Sequence, residues 1–546
     1  MFARIKKSGK YQYLQIVENR REKGKTRQRV LVTLGRIDKL NASGSIDQII
    51  RSLSKYSDQV LMILTQEGGI TADSKRIGPA IIFERLWNEL GIKKVINELL
   101  KKRKFEFDVE RAIFVTVLHR LFASGSDRAC DKWKREYVVD GADELALHHF
   151  YRAMAFLGAK TEDQTDATPF SPRCVKDLIE EKMFAQRRNL FSGLDLVFFD
   201  TTSIYFEGKG GRTIGQHGHS KDHRPDLKQM VVGAVLDDNG HPICCEMWPG
   251  NTADVKTLIP VAQRLKRRFN IKKFCIVADR GMISAGTIEE LEKDELNLPY
   301  ILGVRMRQVK EVRQDVLSRG GRFQEVYPEG VNSKDPSPLK VKEVWEKGTR
   351  YIVCLNTRQA RKDAADRQAI LDSLEGRLKQ GPKSMIGNKG YRKYLKVSKD
   401  TIEIDRDKVE QEARFDGKWV LRTNTDLSSS EVALKYKELW QVEHVFRDIK
   451  SVLETRPIYH KCDETIRGHV FCSFLALVLR KELDRRLEAA GCCFEWEDIK
   501  QDLEALQETV IDDKGKRVAV RTHCNGICGK VFQAVKVAVP PVVRLV

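Results

Sequence analysis

Two short apolar runs, LVFFD at 196–200 and CIVAD at 275–279, each deliver an aspartate at the end of an otherwise fully apolar stretch. A strand with no polar alternation has to be covered on both faces, which excludes a sheet with one side open to water. Around these runs, KQMVVGAVLDDNGHPICCEMW reads as a hairpin turning at Asp238-Asn239-Gly240, VKTLIPVAQRLKRRF as an amphipathic helix and PYILGVR as a closing strand. Apolar strands interleaved with helices predict an α/β core built on parallel strands.

The two acids need a reason. An apolar strand gains no stability from a terminal carboxylate, and a carboxylate in low-dielectric surroundings needs a partner, for which a bound cation is one solution. In open α/β sheets, ligands gather at the carboxyl edge of the strands, where Asp200 and Asp279 are expected to stand. A second reading stays open for each acid: aspartate also forms turns and caps helices, and Asp279 before RGMIS suits that role.

A third acid lies in YKELWQVEHVFRDIKSVLETRPIYH, where Tyr436, Glu443 and Lys450 recur at seven-residue intervals and Arg447 follows Glu443 by four. At 3.6 residues per turn these four share one stripe, while Val442, Val445, Phe446 and Ile449 cover another face. A helix here can pack on the sheet and look along its edge with the polar stripe. A solvated face held by a Glu443/Arg447 pair has the same pattern.

The chain has 546 residues, too many for one simple core, so several structural units are expected. YQYLQIVENRREKGKTRQRVLVTLG alternates as a β-hairpin does, with a basic tip from Arg20 to Arg29 around Gly24. Helical spacing begins at Gly78, with Asp108 as an N-cap and basic clusters at Lys101 to Lys104 and Lys132 to Arg135. The segment 306–418 interrupts the α/β rhythm and reads as a β-rich insertion, with a hairpin at Gly348 and a charged helix from Arg358 to Lys379. GKWVLRTNTD then returns as a strand, and a helix opens on the capping box Ser428/Glu431. RGHVFCSFLALVLRKELDRRLEAAG closes the legible part as a long, mostly buried helix.

Lys and Arg outnumber Asp and Glu by 97 to 77, a formal charge of +20 that favours a polyanion such as nucleic acid, though basic surfaces alone also produce it. No apolar run reaches the ~20 residues that cross a bilayer, and MFARIKKSGK has no secretory h-region, so a cytoplasmic protein is expected. Twelve scattered cysteines without CxxC suit reduced thiols better than a disulfide framework. His217, His219 and His223 lack an accompanying cysteine pair, and His523, Cys524 and Cys528 have incomplete zinc spacing. GKGGRTIGQHGHS lacks the Gly-Lys-Ser/Thr ending of a P-loop, so nucleotide binding has no support.

Together, FFDTTSIYFEG, GHSKDHRPDLKQMVVG, WPGNTAD, IVADRGMIS and WQVEHVFRDIKSVLETRPIYH resemble the DDE transposases of bacterial insertion sequences, specifically the IS-four-like superfamily. That family carries Y-x2-R-x3-E-x6-K around its catalytic glutamate. Tyr436, Glu443 and Lys450 match it; Leu439 stands where the family has arginine, and Arg447 or Lys437 are the cations placed to substitute. The likeness spans nearly the whole chain and is most specific over 194–480.

The resemblance implies an α/β, ribonuclease-H-like catalytic core interrupted by a β-rich insertion, with an N-terminal β-hairpin, a helical DNA-binding region and a helical C-terminal region. The expected boundaries are 1–75 for the basic hairpin segment, 76–190 for the helical DNA-binding domain, 191–305 and 419–485 for the two parts of the core, 306–418 for the insertion and 486–546 for the C-terminal region. It further implies that Asp200, Asp279 and Glu443 are the catalytic, metal-binding triad. Two Mg2+ ions, replaceable by Mn2+, would serve hydrolysis and strand transfer, with Tyr436 and Lys450 touching DNA; Arg447 is inferred to join them. The implied activity is cut-and-paste transposition: binding terminal inverted repeats, cleaving them and joining the 3′ ends to target DNA, by a homodimer on paired double-stranded ends. Rival expectations are a catalytically silent DNA-binding regulator on this scaffold and a ribonuclease-H-like nuclease that does not transpose.

Overall fold

The structure, a computed structural model, describes residues 2–22, 25–53, 71–101, 103–168, 171–187, 196–271, 274–327, 339–379, 392–397, 402–453, 455–513 and 516–546. The chain divides into two units, Met1–Asp73 with Thr509–Thr522 and Val542–Val546, and Ser74–Glu508 with His523–Pro541.

In the first unit, β1 (Phe2–Ser8), β2 (Tyr11–Glu22) and β3 (Lys25–Arg36) form an antiparallel sheet. The expected hairpin is β2 with β3, and β1 extends it; the turn residue Gly24 lies outside the described residues. Two short helices follow, α1 (Ile37–Ala42) and α2 (Ser45–Leu53).

After β4 (Thr71–Arg76) come six helices: α3 (Gly78–Glu89), α4 (Ile92–Leu100), α5 (Val109–Phe122), α6 (Asp127–Trp133), α7 (Leu147–Gly158) and α8 (Val175–Arg187). Asp108 caps α5 as expected, its side chain accepting from the Arg111 amide at 3.0 Å. Every residue of α5 is buried.

The core sheet opens with β5 (Leu196–Tyr205), β6 (Gln229–Leu236) and β7 (Pro242–Pro249). Asp237 closes the β6–β7 turn by accepting from the amides of Asn239 and His241, and Gly240 takes a positive φ of 73°. Next are α9 (Leu258–Phe269), β8 (Cys275–Ala278), α10 (Ala285–Glu292) and β9 (Tyr300–Gly303). The segment expected as an insertion contains α11 (Lys310–Gln314), β10 (Gln324–Val326), β11 (Leu339–Glu346), β12 (Thr349–Asn356), α12 (Thr357–Lys379), β13 (Leu395–Val397), β14 (Ile402–Ile404) and α13 (Arg406–Ala413). The core resumes with β15 (Lys418–Thr423), α14 (Ser429–Lys437), α15 (Trp440–Arg447) and the 27-residue α16 (Asp463–Ala489).

The sheet has nine strands in the order β10-β11-β12-β15-β9-β8-β5-β6-β7. β5, β8 and β9 are parallel to one another, and the flanking pairs are antiparallel. Three strands of this segment, β10 to β12, enlarge the core sheet through β15, while β13 and β14 pair in a two-stranded sheet of their own. The sheet is covered on both faces, as the apolar runs require. Alternate residues of β5 divide between two cores: Phe198 and Ile204 pack with α15 and α16 residues, Val197 and Phe199 with those of α9 and α10.

One feature left no trace in the hydropathy pattern. On α8, Lys176, Asp177 and Glu180 meet Arg264 and Arg268 of α9 and Glu246 of β7 in a buried ionic cluster. The region 486–546, expected to be helical, holds α17 (Trp496–Ala505) and α18 (Cys528–Val535) but also the strands β16 (Gln507–Asp513), β17 (Lys516–Arg521) and β18 (Val543–Leu545). Among the described residues, no helix is long and apolar enough to cross a membrane.

Candidate active site

β5 does not end at Asp200, as the sequence reading expects; it continues to Tyr205. The reason lies in its two neighbours. Parallel pairing with β8 stops at Phe199↔Ala278, whereas antiparallel pairing with β6 carries on to Tyr205↔Gln229, and Thr201, Thr202 and Ile204 suit a strand. Asp200 and Asp279 each stand one residue past that last parallel pair. The register therefore makes them neighbours at the carboxyl edge of the parallel strands. Side-chain alternation puts Asp200 on the face of Phe198 and Ile204, the face that α15 covers.

Asp200 is partly buried and accepts from the Thr201 amide at 2.7 Å. Burial pushes its carboxyl up to about 6; Asp279 and Asp254 act in the same direction, against Lys221 and the Thr201 amide. Asp279 accepts from the Tyr436 hydroxyl at 2.9 Å. Burial and the adjacent Asp279 charge hold the Tyr436 phenol well above its usual range, so it is a donor throughout the physiological pH span. Gly303, at the end of β9, makes this contact possible, because a Cβ there would lie 2.2 Å from the Tyr436 oxygen. Arg305 braces the same loop by donating to the carbonyls of Arg280 and Gly281, both at 3.0 Å.

A further carboxylate belongs to this edge. Asp254, from WPGNTAD, accepts from the Thr201 hydroxyl at 2.8 Å and pairs with Lys221 at 3.2 Å. The sequence pattern assigns Asp254 no role; its one local signal is that it follows a buried strand, β7. Thr202, Ser203, His219, Lys221, Asp254 and Arg305 line a cavity of about 520 Å³ here. The loop with His217, His219 and His223 borders this edge, and all three histidines are exposed.

The expected single stripe is interrupted. The capping box forms, the Glu431 amide donating to the Ser428 hydroxyl and the Ser428 amide to the Glu431 carboxylate. The helix then breaks at Glu438 and Leu439, so Tyr436 is on α14, Glu443 on α15 and Lys450 in a π-helical turn at Asp448–Val452. A two-residue turn and a π turn both change the angular phase, so spacings of seven no longer keep three residues on one line. Tyr436 meets the aspartates. Glu443 is exposed on α15, and its carboxylate does not join those of Asp200 and Asp279 within 4.8 Å. Arg447 contacts the His444 ring at 2.7 Å, so the expected Glu443/Arg447 pair does not appear among the salt bridges of the described residues. Lys450 is turned to Asp222, at 2.8 Å.

One other group could be mistaken for a metal centre. Asp127, His460 and His469 bring ligand atoms within 4.8 Å of one another. Arg120 donates to His469 Nδ1 at 2.9 Å, however, and the other ring nitrogen faces the Thr455 carbonyl at 3.1 Å. A guanidinium occupies the lone pair that a metal would need, so this group is a buried charge network.

The large α/β sheet carries two aspartates at the edge of its parallel strands, an arrangement compatible with a DDE domain. The sequence agrees: residues 192–479, more than half of the chain, match the transposase DDE domain, of the ribonuclease-H-like class. The chain belongs to the DDE transposases of insertion sequences and is a DNA transposase, an enzyme acting on DNA. Residues 3–68 match the N-terminal domain of the IS1634 family transposases. Comparison with curated proteins gives no match. Among solved structures, the cryo-EM structure of the piggyBac transposase synaptic complex with hairpin DNA is similar over 78% of this chain and 79% of that chain, at 11% identity and a TM-score of 0.36.

Proposed function

We propose that Asp200, Asp279 and Glu443 hold two divalent ions, Mg2+ with Mn2+ able to substitute, and that this site cuts and rejoins DNA. The observation that carries the reading is that Asp200 and Asp279 stand side by side at the strand edge without an ion-pair partner among the described residues. In a chain of net charge +20, none of these three acids has a lysine or arginine in ion-pair contact among the described residues, whereas Lys221, Lys450 and Arg305 beside them are engaged elsewhere. Such carboxylates, one raised by burial, suit a hard oxygen-seeking cation. When bound, a pair of such ions activates the attacking water or 3′-hydroxyl and stabilises the leaving oxygen.

The protein's own groups prepare that chemistry. The Thr201 amide and the Tyr436 hydroxyl orient Asp200 and Asp279, and Arg305 fixes the loop behind Asp279. Glu443 approaches on α15, from the face of the sheet that Asp200 shares. Lys450 and Arg447 hold DNA phosphates, and Tyr436 aids the backbone's approach. The reaction is cut-and-paste: terminal inverted repeats are bound with help from the basic β1–β3 sheet and the α3–α8 helices, cleaved, and joined to target DNA by a homodimer on paired ends.

The test is cleavage and 3′-end joining of terminal-repeat DNA taken from the flanks of the gene. Asp200→Asn, Asp279→Asn and Glu443→Gln should each abolish both steps in folded protein. Full activity in all three would end the assignment.

A further inference from the structure

The geometry points to a phosphodiester-binding site formed by Lys450 and Arg456, which Asp222 occupies in the DNA-free protein in place of a phosphate. This rests on the DNA-transposase reading above and adds Arg456, Asp222 and the loop 216–228 to it.

The Lys450 ammonium donates to Asp222 Oδ1, the Arg456 guanidinium forms an ion pair with the same oxygen, and the other oxygen, Oδ2, is buried with no partner among the described residues. The Asp222 side chain is 8% exposed although its neighbours His223, Arg224, Pro225 and Asp226 are exposed. A carboxylate is thus drawn inward from a surface loop to sit between two cations. A protein brace built to last would be expected to satisfy both oxygens, because a buried acceptor without a donor is costly. A phosphodiester carries the same single charge, and its oxygens suit the same two donors, so exchanging one for the other leaves the charge of the site unchanged.

Besides the Asp222 contact, the loop is tied to the β5 end through Lys221, which also pairs with Asp254, and through Arg224 over the Tyr205 ring. The Lys221 amide donates to the Ser203 hydroxyl at 2.8 Å, and the Lys221 ammonium donates to the Thr201 carbonyl at 2.6 Å. Ser220 closes a turn by accepting from the amides of Asp222 and Arg224. Immediately after Asp222, His223 has a φ of 57°, a left-handed conformation that a side chain with a Cβ avoids.

The position suits a DNA strand. Lys221 lies against Thr201, one residue from Asp200, and Lys450 follows Glu443 in the same helical segment. Arg456 also stacks over the Tyr205 ring at the end of β5, 5.8 Å from its centre. Residues 455–458 are tied to that strand end by the Ile458 amide, which donates to the Tyr205 carbonyl at 3.2 Å. Arg456 is therefore fixed to the strand that carries Asp200, while the acid it shares with Lys450 is on the 216–228 loop.

The experiment follows a short duplex of arbitrary sequence binding to the full-length protein, with Ca2+ in place of Mg2+ to prevent cutting. Hydrogen exchange of the 217–228 amides is measured in unaltered protein with and without the duplex, and affinity is compared with Asp222→Asn over a range of salt. Faster exchange in the complex and several-fold tighter binding by the variant, with a steeper salt dependence, are expected. Exchange that slows or stays unchanged overturns the inference, and so does a variant that binds no tighter than the original. If unaltered protein binds the duplex but never cuts or joins terminal-repeat DNA, the catalytic reading fails instead, and the exchange result still decides the role of Asp222.

Discussion

Gly303 offers the sharpest test of how Asp279 is held. An alanine Cβ at this position would lie 2.2 Å from the Tyr436 oxygen, 3.0 Å from its ring carbon Cζ and 3.1 Å from the Arg280 amide nitrogen. None of these is the free end of a flexible chain, so Tyr436 or the loop after Asp279 has to move. Two costs combine: about 1–3 kcal/mol for overpacking and about 1.5–3 kcal/mol for the hydrogen bond to a charged carboxylate. Tyr436→Phe removes the nearest atom and the same hydrogen bond. Gly303→Ala should therefore be far less harmful in the Tyr436→Phe background than in the original protein, with a coupling above ~1 kcal/mol in a double-mutant cycle. Denaturant unfolding of the four proteins measures it. In parallel, both single variants should cut DNA slowly and need more Mg2+, and the double variant should recover stability without recovering activity. Additive stabilities within ~0.5 kcal/mol would refute the argument that Gly303 exists to admit the tyrosine.

The ionic cluster of α8, α9 and β7 should break sharply: Arg268→Met leaves Asp177, Glu180 and Glu246 short of a cation and should cost about 3–5 kcal/mol in denaturant unfolding; a loss below ~1 kcal/mol would contradict it. Acid should destabilise the protein through His119, whose imidazole is pushed down to about 4 by burial, with Arg120 in the same direction and Asp127 opposed. Its folded pKa is depressed, so the unfolded chain takes up more protons and stability falls as pH drops from about 6.5 towards 4, by up to about 3 kcal/mol; thermal melts of His119→Gln over that range should show a flatter slope. Mn2+ should raise the melting temperature of the original protein, and this gain should vanish in Asp200→Asn and in Asp279→Asn; equal gains in all three would place the ion elsewhere.

The sequence disclosed whatever depends on neighbours in the chain. Fully apolar CIVA needed cover on both faces and became β8, with Asp279 directly after it. Asp108 and the Ser428/Glu431 box capped helices because capping acts over three residues. Asp200 was misplaced to a strand end because pairing with β6, some thirty residues on, decides how far β5 runs. The stripe at 436, 443 and 450 looked continuous because a turn at 438–439 and a π turn leave no compositional mark. Lys450 finds Asp222 across 228 residues of chain, and the cluster around Arg268 joins three elements; neither contact has a local signal.

The three acids differ in how firmly the fold sets them. Asp200 and Asp279 follow from one register, Phe199↔Ala278, so no sliding of the parallel pair can separate them without disrupting the sheet. Glu443 depends instead on a helix entered through a broken joint and left through a π turn. The strands of the insertion bear on that joint: Arg350 of β12 donates to the Thr425 carbonyl at 2.7 Å, and Ser429 at the start of α14 donates to Glu343 of β11 at 3.0 Å. β11 and β12 thus steady the approach to α14, which holds Tyr436 against Asp279. A site made this way has two acids fixed by the sheet and a third on a jointed helix. Lys450, in the same helical segment as Glu443, is paired with Asp222, so on the proposed reading the release of that pair and the delivery of Glu443 would act on one segment.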